Sequence, residues 1–271
     1  EGILEWRESM NYGRKNAARR KWELTSRGTV MRRKLSSLTL LIVLLLFVSG
    51  LGYVGYQGYR FVEKIIAEAP DINEIDATPS GYMSTVLDAD GNVTAQLVGT
   101  GSNRVYVTLD EIPVDLQHAF VAIEDERFYD HNGIDLRGIA RAVAKGLTTG
   151  HLTEGASTIT QQLLKNNVFT DWMEETRIQS FKRKIQEQYL ALKLEKTLTA
   201  EGENAKDVIL ENYLNTINLG SGCYGVQTAA QTYFGKDAKN LTLSECAVLA
   251  AIPKAPTAYN PKNHPEKNQQ R

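Results

Sequence analysis

The chain has 271 residues, of which 42% are hydrophobic and 23% are charged, and its formal net charge is −1. This composition is typical of a folded protein with room for one sizeable domain and appendages. Two cysteines, Cys223 and Cys246, are able to pair but are too few for a disulfide framework, and Cys and His show no zinc-type spacing. The sequence therefore excludes a disulfide scaffold and predicts no metal centre built from these residues.

The N-terminal part combines a basic tail with a long apolar run. Residues 1–34 carry ten Lys or Arg and four Glu, a local charge of +6, which leaves −7 for the rest of the chain. No charged side chain occurs between Lys34 and Arg60, and about 20 helical residues suffice to cross a bilayer core. We predict a transmembrane helix over 35–59. The alternative is a cleaved signal peptide, whose apolar region is usually shorter.

Charge on either side of the apolar run predicts its orientation. Basic residues precede the run, whereas residues 63–71 after it carry mixed charges. By the positive-inside rule we expect a single-pass protein with a cytoplasmic tail over residues 1–34 and its body outside. Because the tail adjoins the membrane, its expected partners are membrane lipids and not nucleic acid.

Residues 60–108 are predicted to be a connector that contains short β-strands. Two strand-like segments, 83–87 and 93–97, flank an Asp-Ala-Asp-Gly-Asn sequence at 88–92, a pattern typical of a hairpin. Residues 105–107 indicate a further short strand.

Helical spacing of apolar residues begins near residue 109. The first helix is predicted to start near Pro113 and to bury Phe120, Val121 and Ile123. Asp135 is placed to cap the next helix, which ends near residue 150. Thr158 and Gln161 have the form of a capping box for the helix after that one.

A longer helix is predicted over about 181–194. Its expected core stripe consists of Phe181, Ile185, Tyr189 and Leu192. Glu187 then lies on the opposite flank, one turn after Arg183. Taken alone, such a pair is usually a solvated surface pair.

The last helical segments surround a glycine-rich turn. Helices are predicted over 208–217 and 226–234, and Thr242 with Glu245 forms a capping box for a final helix. The turn at 220–225 matches the Gly-x-Gly-x-x-Gly string, but a dinucleotide fingerprint must follow a strand and this one follows a helix. We therefore expect a tight turn between helices there.

An acidic turn, Glu124-Asp125-Glu126, follows the apolar helix that starts near Pro113. A carboxylate at the edge of an apolar surface loses hydration, which raises its pKa, and the neighbouring charge of Asp125 raises it further. Glu124 is therefore a candidate general base. The alternative interpretation is a solvated acidic turn that caps the next helix.

Five segments occur in an order that resembles the peptidoglycan glycosyltransferase domain of class A penicillin-binding proteins and of monofunctional transglycosylases, glycosyltransferase family 51. The segments are EDERFYDHNGID, GASTITQQLLKN, RKIQEQYLALKLE, VILENYLNTINLGSGCYGVQTAAQTYFGK and LSECAVLAAIP. The resemblance covers 109–261. It implies a mainly α fold, a lysozyme-like helical glycosyltransferase domain over 109–262, with the small β-hairpin segment and one N-terminal transmembrane helix. Residues 263–271 are then expected to begin a linker.

The resemblance implies an activity in the bacterial cell membrane, with the catalytic domain extracytoplasmic. Family members polymerise lipid II into β-1,4-linked glycan strands, with inversion at the anomeric carbon and release of undecaprenyl pyrophosphate. Glu124 matches the base that deprotonates the 4-hydroxyl group of the acceptor sugar. Glu187 matches the second glutamate, which is expected to act at the donor pyrophosphate directly or through Mg²⁺ or Mn²⁺. No other cofactor is expected.

The resemblance and the chemistry together give a set of substrate-binding residues. Pyrophosphate leaves as a stable anion, so the site needs cations rather than a strong acid, and Lys165, Arg183 and Lys184 fit that requirement. The full set consists of Asp125, Phe128, His131, Ser157, Thr158, Gln161, Gln162, Lys165, Arg177, Arg183, Lys184 and Asn215. For His131, packing that locks the acidic turn is at least as good an interpretation as a catalytic role.

One position departs from the family pattern. Relatives commonly have an arginine eight residues before the second glutamate, where this chain has Gln179. Either Arg177 takes over the phosphate contact, or the donor is held less tightly. The same region contains three large apolar side chains, Phe169, Trp172 and Met173. We expect them either to insert into the bilayer surface or to pack within the protein.

Two other functions are open. A lysozyme-like lytic glycosidase would also need a glutamate acid, and an inactive scaffold would recruit cell-wall synthesis or division proteins. The membrane helix and the cations favour synthesis with lipid II and the growing glycan strand as partners. No Ser-x-x-Lys sequence of a transpeptidase occurs in these residues, and we expect the chain to belong to a longer protein.

Overall fold

The computed structural model describes residues 13–75, 77–79, 81–97, 99, 103–150, 155–169 and 175–271. The chain divides into two units, Glu1–Lys64 and Ile65–Arg271. As expected from the helical periodicity, the fold is mainly α-helical.

The N-terminal unit is helical. Helix α1 spans Arg14–Thr25, and α2 spans Arg27–Ala67 and contains the predicted membrane segment 35–59. Among the described residues α2 is the one helix long and apolar enough to cross a membrane, and the apolar window is not buried by protein. An apolar surface of this length is suited to a lipid environment.

A two-stranded antiparallel sheet confirms the predicted hairpin. Strand β1 spans Ser84–Leu87 and pairs with β2, Val93–Leu97. The further strand expected at 105–107 is wrong. Instead, the Val107 N–H donates to Asn215 Oδ1 at 3.0 Å and Asn215 Nδ2 donates to the Val107 carbonyl at 2.8 Å. A side-chain amide therefore replaces a partner strand.

Eight α-helices follow in the described part of the C-terminal unit. They are α3 Val114–Glu124, α4 Leu136–Thr149, α5 Ile159–Asn167, α6 Arg177–Ala200, α7 Ala205–Thr216, α8 Val226–Phe234, α9 Leu243–Ala250 and α10 Pro265–Gln270. Short 3₁₀ turns lie at Ile72–Glu74, Leu109–Glu111 and Ala238–Asn240. Helix α5 packs on both α6 and α7, and α3 packs on α9. Pro113 is the N-cap of α3, one residue outside the helix.

The core of this unit is apolar and lies beneath the acidic turn. Phe120, Leu163, Leu190, Tyr213 and Leu214 are fully buried in one cluster. Burying side chains of this size gives roughly 1.5–3 kcal/mol each relative to exposure. The core thus fixes α3, α5, α6 and α7, which carry most of the candidate site.

The predicted core stripe of α6 is confirmed at Tyr189, which packs against the core, and is wrong for Phe181 and Leu192. Phe181 is 57% exposed and Leu192 is 46% exposed, whereas Arg183 and Glu187 are buried. The helix is therefore turned so that its charged flank faces the protein, where these charges find partners within the domain.

The turn between α7 and α8 contains residues in the left-handed region. Ser221 has φ +50°, and Gly225 has φ +77° and lies so close to α7 that a Cβ would meet the Asn215 carbonyl oxygen at 2.8 Å. The turn follows a helix, which confirms that it is not a dinucleotide fingerprint. Cys223 and Cys246 are buried free thiols, so the possible pairing does not form.

Capping differs in detail from the predictions. The Thr242 and Glu245 capping box is present as predicted. Thr158 Oγ1 accepts a hydrogen bond from the Gln161 N–H at 3.2 Å, but the Gln161 side chain is buried instead of completing the box. Helix α5 is thus capped from one side only.

The segment expected to begin a linker, 263–271, packs on the domain. Asn268 is buried, and its Nδ2 donates to the Val248 carbonyl at 3.0 Å and to the Tyr259 carbonyl at 2.9 Å. These bonds hold α10 against the helical unit and bring Arg271 to the site described next.

Candidate active site

Glu124 is the last residue of α3 and lines a cavity of about 160 Å³. Burial raises its pKa above the usual range, as expected for a carboxylate at the edge of the core. The cavity wall also includes Asp125, Ser157 and Thr158. A largely buried carboxyl group in a cavity is chemically suited to accept a proton near neutral pH.

Both oxygens of the Glu124 carboxylate have hydrogen-bond donors. Gln162 Nε2 donates to Oε2 at 3.2 Å, and Arg271 Nη2 donates to Oε1 at 3.1 Å. The hydroxyl of buried Tyr213 donates to Gln162 Oε1 at 3.4 Å, which orients the amide. These donors and the charge of Lys254 lower the pKa of Glu124, but burial outweighs them.

Asp125 and His131 lie behind Glu124 and shape the acidic turn. His131 Nε2 is 3.0 and 3.1 Å from the two Asp125 oxygens, and His131 Nδ1 accepts from the Gly133 N–H at 3.2 Å. Because Nδ1 accepts, Nε2 is the nitrogen that carries the proton and donates. Asp125 Oδ2 also accepts from the Ile159 N–H at 2.9 Å, at the start of α5.

The acidic turn packs closely against the N-terminus of α5 and against α6. Thr158 Oγ1 donates to the Gly133 carbonyl at 2.7 Å. Gly133 has φ +93°, and a Cβ there would lie 2.6 Å from the Ala191 carbonyl oxygen on α6. Only glycine permits both this backbone conformation and this close approach.

Glu187 is fully buried between two cations. Arg183 Nη1 forms a close ion pair with Oε1, and Lys184 Nζ lies 2.7 Å from Oε2. Arg183 Nε also contacts Glu175 at 2.8 Å, and Lys184 Nζ donates to Ser157 Oγ at 3.1 Å. Ser157 lines the Glu124 cavity, so this cationic cluster adjoins it.

Lys165 is a further cation that is affected by the charges of both Glu124 and Glu187. Burial lowers its pKa, and the charge of Lys184 lowers it further. Glu187 and Glu124 both act on Lys165 in the opposite direction, so it lies within range of each. A partly desolvated ammonium group has strong electrostatic interactions with any anion that enters.

The departure at Gln179 has a structural counterpart. Gln179 Oε1 accepts from the Thr176 N–H at 2.8 Å and from Thr176 Oγ1 at 2.7 Å, which forms a capping box for α6. Arg177 is exposed at the first position of that helix. Phe169 packs on the core, whereas Trp172 and Met173 lie outside the described residues.

Phe128, Gln161 and Asn215, all expected to bind substrate, are buried and do not line the cavity. Phe128 is fully buried in the core, Gln161 is 2% exposed, and Asn215 is fully buried. The Asn215 amide is committed to the Val107 backbone and to the Glu211 carbonyl. These side chains support the site from beneath.

Sequence reasoning missed several residues at the site: Glu175, Tyr213, Lys254 and Arg271. Lys254 follows the last quoted segment directly, and a lysine just beyond a helix end in that position is a signal that the sequence offered. The sequence offered no signal for Arg271, because this residue is 147 positions from Glu124 along the chain.

The donor set does not fit a resident divalent cation. Among the described residues no group of three or more His, Cys, Asp or Glu side chains is placed to hold a metal ion. Each Glu187 oxygen already contacts a cationic nitrogen, which would repel a metal ion. Mg²⁺ usually needs one or two free carboxylates together with substrate phosphates.

A buried carboxyl group with a raised pKa beside a cationic cluster is an arrangement suited to general-base chemistry. The sequence profile of the transglycosylase family matches residues 90–271. The chain therefore belongs to the transglycosylase family.

Similar proteins carry related names. Penicillin-binding protein 1F of Bacillus subtilis (strain 168) is 39% identical over 246 residues, which are 89% of this chain and 31% of that protein. Penicillin-binding protein 1A of Escherichia coli (strain K12) is 44% identical over 206 residues, 76% of this chain and 22% of that protein. The chain thus spans less than a third of the length of these relatives.

One solved structure is also similar. The crystal structure of penicillin-binding protein 1A from Haemophilus influenzae aligns with 70% of this chain and 17% of its own, at 25% identity and a TM-score of 0.34. That TM-score is too low to support any conclusion about the site.

Proposed function

We propose that this chain is a membrane-anchored peptidoglycan glycosyltransferase that polymerises lipid II into β-1,4-linked glycan strands. Membership of the transglycosylase family and the names of its relatives support the reaction class. The observation that carries the proposal is the position of Lys184, whose Nζ contacts both Glu187 and Ser157, a residue in the wall of the Glu124 cavity. One site thus combines a base with charges that suit an anionic leaving group.

Glu124 acts as the base of the glycosyl transfer. Its carboxylate takes the proton of the 4-hydroxyl group on the acceptor N-acetylglucosamine, and the resulting oxygen attacks the anomeric carbon of the lipid-linked donor. The bond from that carbon to the pyrophosphate oxygen breaks, and its electron pair leaves with undecaprenyl pyrophosphate. Attack opposite the leaving group inverts the anomeric carbon and gives the β-1,4 bond. Gln162 and Tyr213 hold the base in one orientation.

Lys165, Arg183 and Lys184 stabilise the leaving pyrophosphate. Charge develops on its oxygens as the bond breaks, and fixed cations in a partly buried site interact with that charge strongly. Glu187 holds Arg183 and Lys184 in place through its two oxygens. Because the donor set does not fit a resident Mg²⁺ or Mn²⁺, no step of this mechanism passes through a metal ion.

The proposed attachment to the membrane is based on two exposed apolar surfaces, one on α2 and one on α4. Helix α2 crosses the bilayer once, with residues 1–34 in the cytoplasm and the catalytic domain outside. On α4, Leu136, Val143 and Leu147 share one exposed face, and Arg137 and Arg141 are exposed on the same helix. An apolar stripe flanked by basic residues suits the surface of an anionic bilayer. Cell-wall synthesis or division proteins remain predicted partners.

The proposal is tested with lipid II and, separately, with preformed glycan. Growth of strands from lipid II supports synthesis, whereas shortening of the glycan would support a lytic glycosidase. Glu124→Gln should lower the rate of polymerisation by about 10²–10⁴-fold, the usual contribution of a general base. Glu203→Gln is the matched control, because the Glu203 side chain is exposed and does not line the cavity. Near-normal activity of Glu124→Gln would refute the role of the base.

A further inference from the structure

A second buried ion pair lies beneath the acidic turn, outside the cavity. Lys206 Nζ on α7 contacts both oxygens of Glu195 on α6, at 2.9 Å from Oε1 and 2.8 Å from Oε2. Glu195 is buried, and Thr160 Oγ1 on α5 donates to its Oε1 at 2.7 Å. Three helices that carry or support the site therefore meet at one carboxylate.

Lys206 also holds the acidic turn directly. Its Nζ donates to the His131 carbonyl at 2.6 Å and lies 4.5 Å from the centre of the Phe128 ring. The His131 ring in turn contacts Asp125, the residue after Glu124. A continuous set of contacts thus connects Glu195 on α6, through Lys206 and His131, to the Asp125 carboxylate next to the base.

Stability alone gives a weak reason for this pair. Removing two charges from water is costly, and replacing a buried ion pair by apolar side chains of similar volume is often neutral or stabilising. A charged hydrogen-bond donor, unlike an apolar side chain, fixes the direction and distance of the carbonyl that accepts from it. The pair is therefore suited to orientation more than to cohesion.

We infer that Lys206 and Glu195 are positioning residues, which set the place of Glu124 relative to the cations on α5 and α6. Glu195 lies two turns after Glu187 on the same buried face of α6, and Thr160 lies on the helix that also carries Gln162 and Lys165. The pair thus fixes the position of the acidic turn relative to α5 and α6, the two helices whose cations hold the leaving group. This inference rests on the proposed glycosyl transfer.

The expected effect is on the chemical step. A displacement of about 1 Å between reacting groups can lower a rate about 10²-fold, whereas the cations that bind lipid II stay in place. In the double variant Lys206→Met, Glu195→Leu we expect kcat to fall about 10–100-fold with KM for lipid II within about twofold of the parent. Thermal stability should fall only moderately: both charges are removed together, but the His131 carbonyl and the Thr160 hydroxyl lose these partners.

Three further measurements separate positioning from a general structural role. The single variant Lys206→Arg keeps the charge and the hydrogen-bond donors, so it should retain most of the parental kcat. A loosened turn exposes Glu124 to water, so the acidic limb of kcat/KM should move to lower pH in the double variant. The control Lys182→Met, Glu68→Leu removes an exposed ion pair of 3.4 Å and should leave kcat unchanged.

The outcomes are distinct. A folded double variant with parental kcat, or a loss confined to KM, would overturn the inference. If the double variant does not fold, Thr160→Val removes one hydrogen bond to Glu195: a several-fold fall in kcat at unchanged KM supports the inference, and an unchanged kcat contradicts it. If the parent itself does not polymerise lipid II, the proposed function fails, and this inference fails with it.

Discussion

The guanidinium group of Arg271 lies 3.1 Å from Oε1 of Glu124, although the two residues are 147 positions apart. Helix α10 brings them together through the buried Asn268 amide, which bonds to two backbone carbonyls of the domain. A positive charge at this distance stabilises the ionised form of the carboxylate. Helix α10 thus places a positive charge that lowers the pKa of the candidate base.

Arg271→Gln should therefore change the pH dependence of the reaction. Arg271 lowers the pKa of Glu124 against the larger effect of burial, so its removal raises that pKa further. Since the base must be ionised to act, the acidic limb of kcat/KM should move to higher pH. The measurement is the rate of lipid II polymerisation over a pH series.

Lys267→Gln is the matched control for Arg271→Gln. It removes the same charge from the same helix, but the Lys267 side chain is exposed. Its pH profile should coincide with that of the parent. An acidic limb that is unmoved in Arg271→Gln would show that the contact does not influence the base.

Lys165 should control the alkaline side of the profile. Burial and Lys184 lower its pKa, so Lys165 loses its charge at a lower pH than an ordinary lysine and the anionic donor is then held less well. Lys165→Arg keeps the charge at high pH, so the alkaline limb of kcat/KM should move to higher pH. Lys165→Met should lower kcat/KM at every pH, whereas the exposed control Lys193→Met should not. An alkaline limb that is identical in parent and Lys165→Arg would exclude Lys165 as its source.

The sequence predicted local features of the fold well. The hairpin, helix α8 with its end at Gly235, and the cap of α9 depend on turn and capping residues within a few positions of each other. Such signals act through neighbouring backbone groups. The strand expected at 105–107 failed because its backbone partner is a side chain, Asn215, more than 100 residues away.

The orientation of α6 was the main error. Phe181, Ile185, Tyr189 and Leu192 form an apolar stripe at helical spacing, but periodicity does not distinguish a face that meets the core from one that meets solvent or lipid. The buried face instead carries Arg183 and Glu187, which pair with each other, while Lys184 and Glu175 supply their remaining charged contacts. The same limit applies to Lys206 and Arg271, whose roles depend on contacts between distant segments.

The close approach of Gly133 to α6 predicts a large effect of a single methyl group. Gly133→Ala places Cβ 2.6 Å from the Ala191 carbonyl oxygen, on a backbone with φ +93°. We expect it to destabilise the domain by more than the roughly 1–2 kcal/mol of left-handed strain alone, and kcat should fall because the acidic turn must shift. Unfolding in denaturant and the rate with lipid II measure the two effects.

Gly202→Ala separates strain from collision. Gly202 has φ +86°, but a Cβ there meets nothing within 4 Å. This variant should lose about 1–2 kcal/mol at most and retain the parental kcat. Equal loss of stability in the two variants would mean that the contact with Ala191 does not constrain the turn.

Glu124→Gln should stabilise the folded protein although it greatly lowers the rate of polymerisation. Burial raises the folded-state pKa of Glu124 above its unfolded value, so the folded state binds more protons between the two values and its stability falls as pH rises through that window. A neutral amide avoids this cost, so the variant should have the higher free energy of unfolding above the folded-state pKa. The gain should vanish below about pH 4, where the unfolded carboxyl is also protonated. Glu126→Gln, at a side chain that is 75% exposed, should show no such pH-dependent difference. A Glu124→Gln variant that is less stable than the parent above the folded-state pKa would mean that burial does not penalise the ionised base, because the Gln162 and Arg271 contacts then outweigh it.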